Sequence, residues 1–132
     1  MITAKSVKEL REMTGAGMIK WKKALVQTEG DIEKAVEYLR EKGLAAAAKK
    51  AGRVAAEGIV KTFVSADKKT AGMVEVNCET DFVAANEEFV SFADKVAEMV
   101  ANTSAANVEE LLAEKFDGEA TVQEALTALI AK

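Results

Sequence analysis

The spacing of the apolar residues switches at Gly58 from a helical period to a strand-like one, which limits the fold to a helical part followed by a mixed part. Before the switch, Ser6-Val7-Lys8-Glu9 has capping-box spacing, with Thr3 as an alternative start one turn earlier, and Val7, Leu10 and Met13 repeat at a three-residue step. Thr14-Gly15-Ala16-Gly17 interrupts that stripe. A second stripe, Met18, Trp21 and Leu25, runs to Gly30, and Asp31 is placed to cap a third helix carrying Ile32, Ala35, Val36 and Leu39, with Gly43 as its stop. Residues 1–43 therefore read as a three-helix bundle. Residues 44–57 are alanine-rich, which favours helix by propensity but supplies few large side chains, so they read as a helical connector. Lys49, Lys50 and Arg53 on it suit either an acidic partner surface or a solvated helix face.

After Gly58, Ile59 to Val64 is rich in β-branched residues, Ser65 to Thr70 is a polar turn, and Val74, Val76 and Cys78 alternate with Glu75 and Asn77. This predicts a β-hairpin, which is marginal in water unless something covers it. The next helix supplies the cover: Asn86 caps it, Glu87 and Glu88 suit the positive end of its dipole, and Phe89, Phe92, Val96 and Val100 form one apolar stripe. Two shorter helices follow, one around Val108, Leu111 and Leu112, the other opened by the capping box Thr121-Val122-Gln123-Glu124 and carrying Leu126, Leu129 and Ile130. Residues 58–132 thus read as a hairpin packed against helices, and the whole as a mostly helical α+β chain. The end at Ile130-Ala131-Lys132, with no glycine cap or polar tail, fits a docked terminal helix and a truncation equally well.

Composition narrows the function classes. With 132 residues, 49% of them hydrophobic, and a net charge of -4, the chain belongs among soluble globular proteins of one domain or two small ones. The absence of histidine and the single Cys78 remove most zinc and copper ligands, the usual base of a nucleophilic triad, and any internal disulfide, which fits a cytoplasmic protein without a metal or cofactor. The acidic balance argues against direct nucleic-acid binding, and no apolar run is long enough for a membrane span. Glu75, Glu79 and Asp81 suggest a general acid/base pair or a magnesium site, but no phosphate cradle accompanies them, and a solvated strand end accounts for them better. A chain of this kind is expected to work by binding rather than by catalysis.

Two segments are candidates for that binding. Thr80-Asp81-Phe82-Val83 lies in the connection between hairpin and helix, where its two apolar side chains must either fold back or face a partner; on pattern alone the aromatic folds back. Gly15-Ala16-Gly17-Met18 sets flexible backbone beside a flexible apolar side chain, suiting an adaptable contact as well as it suits a simple turn with Met18 in the core.

The bundle, with its Gly-Ala-Gly-Met turn and the run Gly30-Asp31-Ile32-Glu33-Lys34-Ala35-Val36-Glu37-Tyr38-Leu39, resembles a ubiquitin-associated domain. Followed by Ala46-Ala47-Ala48-Lys49-Lys50-Ala51-Gly52-Arg53, by Glu75-Val76-Asn77-Cys78-Glu79-Thr80-Asp81-Phe82-Val83 and by Phe92-Ala93-Asp94-Lys95-Val96, it resembles the bacterial elongation factor Ts family over the whole chain. The resemblance implies an N-terminal portion of such a factor, since members continue into a further strand, a second core subdomain and a helical hairpin, and that missing strand would complete the sheet. It implies the GTPase elongation factor Tu as partner, with GDP release and replacement by GTP as the outcome, and with the bundle making a separate contact. Asp81 and Phe82 match the family's intruding residues, which makes Phe82 an exposed wedge aimed near the GTPase's magnesium site. The exchange activity of such a portion is expected to be reduced. One departure stands out: Lys20 and Trp21 replace a common acidic residue and cysteine, so that Trp21 either overfills the bundle or swings outward. Two other readings remain: a generic ubiquitin-like or peptide-binding helical module without exchange activity, and self-association that covers the open hairpin edge.

Overall fold

The computed structural model describes Lys8 and residues 17–132, so the first expected helix, with Val7, Leu10 and Met13, and the turn residues Gly15 and Ala16 lie outside the described residues. The chain divides into two compact units, residues 1–51 with 130–132, and residues 52–129. Its architecture is α+β.

In the first unit, α1 (Met18–Gln27) and α2 (Ile32–Lys50) pack through Trp21, Ala24, Leu25 and Ala35, with Ile32, Val36, Tyr38 and Leu39 around them. The buried stripe of α1 is Trp21, Ala24 and Leu25, an i, i+3, i+4 face, rather than one that includes Met18, which is 69% exposed. Trp21 points inward and is 1% exposed, and its indole nitrogen meets no acceptor among the described residues. Beyond Gln27 the chain turns through left-handed Glu29 (φ 55) and Gly30 (φ 88), whose N–H groups donate to Val26 and Leu25 carbonyls at 3.4 and 2.8 Å.

Asp31 caps α2 as its spacing predicts, accepting the Lys34 N–H at 3.1 Å. That N–H, aided by the Lys34 ammonium, holds the Asp31 carboxyl below its ordinary 3.8. A lowered folded pKa means stabilisation that is complete above the unfolded value and lost as pH falls through the folded one. Asp31→Asn keeps an oxygen to cap with but cannot titrate. Helical melts of the two chains should therefore differ at neutral pH and converge in strong acid; a gap that persists in acid would contradict the assignment.

The stop expected at Gly43 does not occur, and α2 continues to Lys50. One interior glycine costs roughly 1 kcal/mol relative to alanine, and the run Leu44-Ala45-Ala46-Ala47-Ala48-Lys49-Lys50 consists of the strongest helix formers. Lys49 and Lys50 also sit in the last turn, where cations are favoured. Residues 44–50 are therefore part of α2, and residues 51–56 are non-helical.

The second unit opens with β1 (Glu57–Val64) and β2 (Ala71–Cys78), an antiparallel hairpin in register from Glu57↔Cys78 to Val64↔Ala71. Its turn is held by Ser65 and Asp67: the Ser65 hydroxyl donates to Asp67 at 2.6 Å, and Asp67 accepts the Lys69 N–H at 3.0 Å. After α3 (Asp81–Ala84), the long helix α4 (Glu87–Asn102) lies on the hairpin and buries Phe89, Phe92, Ala93, Val96 and Ala97. Asn86 accepts the N–H groups of Glu88 and Phe89 at 3.0 and 3.3 Å, the cap read from sequence. Phe92 and Val96 join Leu111 of α5 (Val108–Ala113) and Val122 of α6 (Val122–Ile130) in one core, with Val74 and Val76 from β2. The α6 capping box closes in both directions, at 3.2 Å from the Glu124 N–H to the Thr121 hydroxyl and 2.9 Å from the Thr121 N–H to Glu124.

A second small hairpin, β3 (Lys115–Asp117) with β4 (Ala120–Thr121), is an addition that periodicity did not suggest. Its sequence signal is Asp117-Gly118, a turn dipeptide in which Gly118 takes φ 54.

Candidate partner-binding site

The connection read as a loop is one turn of helix. Thr80 is its N-cap, with the side-chain oxygen accepting the Val83 N–H at 3.3 Å, and Asp81 accepts the Phe82 N–H at 2.9 Å. The Thr80 and Asp81 carbonyls accept from Ala84 and Ala85 at 3.2 and 3.0 Å. Thr80-x-x-Val83 lacks the glutamate of a capping box, which is why a periodicity search passes over so short an element.

This turn leaves Phe82 84% exposed and Val83 42% exposed. The pattern-based expectation that the aromatic folds back is therefore overturned, and the reason is steric. The hairpin and α4 are already filled by Phe89, Phe92, Ala93 and Val96, so the space under the nearest helix is occupied by that helix's own side chains. Leaving a phenylalanine in water forgoes about 1.5–3 kcal/mol of burial.

The three carboxylates weighed as a catalytic group are engaged separately. Glu75 accepts from the Asn77 amide at 3.0 Å, Glu79 pairs with Arg53 at 3.4 Å, and Asp81 caps the Phe82 N–H at 2.9 Å. Among the described residues no group of three His, Cys, Asp or Glu side chains is arranged to hold a metal ion.

In the first unit, Gly17 precedes α1 and its carbonyl accepts the Lys20 N–H at 2.9 Å. Met18 and its neighbour Ile19 are 69% and 75% exposed, and Lys20 is exposed beside them. Ile19 falls outside the Met18, Trp21, Leu25 stripe read from sequence, and the structure leaves it on the exposed side of α1. A shallow recess of about 390 Å³ lies along the same helix, lined by Lys22, Lys23, Val26, Gln27 and Tyr38. No helix among the described residues is long and apolar enough to cross a membrane.

The family model described as "Elongation factor TS" matches residues 79–132, a span that includes the exposed turn. Elongation factor Ts of Clostridium perfringens (strain 13 / Type A) is 75% identical over 132 residues, all of this chain and 44% of that protein. The corresponding protein of Clostridium botulinum (strain Eklund 17B / Type B) is 72% identical over the same shares. That of Clostridium tetani (strain Massachusetts / E88) is 63% identical over 134 aligned positions, again 100% of this chain and 44% of the relative. The chain thus spans less than half the length of the curated relatives it matches.

Proposed function

Since the chain belongs to the elongation factor Ts family, as its N-terminal portion, we propose that it binds the GTPase elongation factor Tu and promotes release of GDP and its replacement by GTP. The observation that carries this reading is the 84% exposure of Phe82 on a hydrogen-bonded turn, at the position that the sequence resemblance equates with the family's intruding residue. An aromatic held out of the core by a built turn is suited to entering a pocket on another protein.

The chain makes and breaks no bond in this reading. A protein that binds the nucleotide-free GTPase more tightly than its GDP form weakens GDP by the same coupling free energy. Phe82, entering between side chains near the GTPase's magnesium site, would supply that difference by displacing groups that hold the ion and the phosphates. Met18, with the Gly15-Ala16-Gly17 sequence before it, provides a second contact from the first unit, and two contacts on one chain raise the effective concentration of each.

The test is a titration of this chain into elongation factor Tu, reading the release of fluorescent GDP and binding to the nucleotide-free GTPase. Tight binding to the empty form with faster GDP release is the expected result. No binding to the empty form would end the proposal. The exposed Met18 and Ile19 favour a second reading, a helical module that binds a ubiquitin-like protein or a peptide without exchange. It requires Met18→Lys to abolish binding to such a ligand while GDP release stays at its spontaneous rate.

A further inference from the structure

We propose, resting on the reading above, that Arg53 and Cys78 are positioning residues that set the direction in which Phe82 projects. The α3 turn spans four residues, far below the length at which a helix holds itself in water. The hydrogen bonds from Thr80 and Asp81 described above are internal to the turn. They fix its shape but not its orientation on the hairpin. The turn also touches β1, β2 and α4, and the two residues that join it to β2 add the polar restraints on its orientation.

Those residues point to opposite faces, as successive strand residues do. Cys78 points inward and is 7% exposed, and its thiol donates to the Thr80 carbonyl at 3.2 Å. That oxygen also accepts the Ala84 N–H at 3.2 Å, so the buried thiol grips the carbonyl that opens the turn. Glu79 points outward, and both its carboxylate oxygens lie 3.4 Å from Arg53 Nη1. Arg53 belongs to the non-helical segment leading into β1, so the pair joins the entry of one strand to the exit of the other across 26 positions of sequence. The two side chains are 55% and 43% exposed, and a pair that open adds little to global stability. Its consequence is geometric: with Cys78 on one face and Arg53 on the other, the turn is restrained from both sides.

The test separates this from the function it serves by reading the free chain first. Amide hydrogen exchange at Ala84 and Ala85 reports the order of the turn, and amides of Phe92 to Val96 report the helix behind it. Arg53→Glu is expected to speed exchange at Ala84 and Ala85 by roughly threefold, the scale of an exposed ion pair, with the α4 amides unchanged. The double reversal Arg53→Glu with Glu79→Arg should restore both. Cys78→Val, close in volume but without a donor, should loosen the same two amides, and Cys78→Ser should return them toward the parent. In the GDP-release assay, Arg53→Glu should lower the maximal rate by roughly threefold with little change in the half-saturating concentration. Unchanged Ala84 and Ala85 exchange, failure of the double reversal to restore, or loosening spread equally through α4 would overturn the proposal. A parent chain inactive in GDP release would instead remove the proposed function, and the amide comparison would still decide the positioning role.

Discussion

Under the proposed function, Phe82→Ala is expected to slow the GDP release that this chain promotes from elongation factor Tu by about tenfold or more while leaving the fold of this chain unchanged. Central aromatic anchors commonly lose about 2 kcal/mol or more on truncation to alanine, and each 1.4 kcal/mol is a factor of ten. The side chain is 84% exposed and contributes nothing to the second unit's core, so its removal costs the free chain at most about 0.5 kcal/mol. The two effects are read independently, one by displacement of fluorescent GDP and the other by the thermal midpoint. An unchanged release rate would take Phe82 out of the mechanism, and a large drop in midpoint would mean that the residue is part of the fold after all.

Gly72→Val should have the opposite profile, destabilising the second unit strongly. Gly72 is buried where β2 passes under α4, and a Cβ added there would lie 2.4 Å from the Ala97 carbonyl oxygen and 2.7 Å from the Ala101 nitrogen. Both are backbone atoms of a helix that cannot yield by rotating a side chain, so strand and helix must separate and the Phe92 and Val96 packing loosens with them. Overpacking of this kind costs about 1–3 kcal/mol or more, and for a unit of this size each kcal/mol moves the midpoint by roughly 4–8 °C. A fall of roughly 10–20 °C by circular dichroism is therefore expected, with Gly72→Ala intermediate. A valine variant melting with the parent would show that the approach of β2 to α4 is not the constraint described.

The two substitutions illustrate different degrees of legibility. The hairpin, its register face and the helix that covers it followed from alternation at Val74, Val76 and Cys78 and from the Phe89, Phe92, Val96 stripe, because period and capping are local properties. Asn86, Asp31 and the Thr121–Glu124 box behaved as their spacing required for the same reason. Gly43 was misjudged as a stop because a single glycine weighs against one residue, whereas the Ala-rich run after it acts over two turns. The small hairpin at Asp117-Gly118 escaped notice because strands of three and two residues leave no periodicity to detect. For the candidate segments, motif order suggested a contact at Thr80-Asp81-Phe82-Val83, but pattern alone assigned Phe82 to the interior, whereas the structure leaves it exposed.

By itself, then, the sequence determined the change of period at Gly58, the order of the longer helices and of the main hairpin among the described residues, and the caps at Asp31, Asn86 and Thr121. These depend on residues within a turn or a strand pair of one another. Only the tertiary structure decided which apolar residues were left outside. Phe82 and Met18 are exposed, and Trp21 is buried, because the space each would occupy is allotted by residues remote in the chain or on a neighbouring element. Close packing admits one set of occupants, and the competition for that space is not a property of any local stretch.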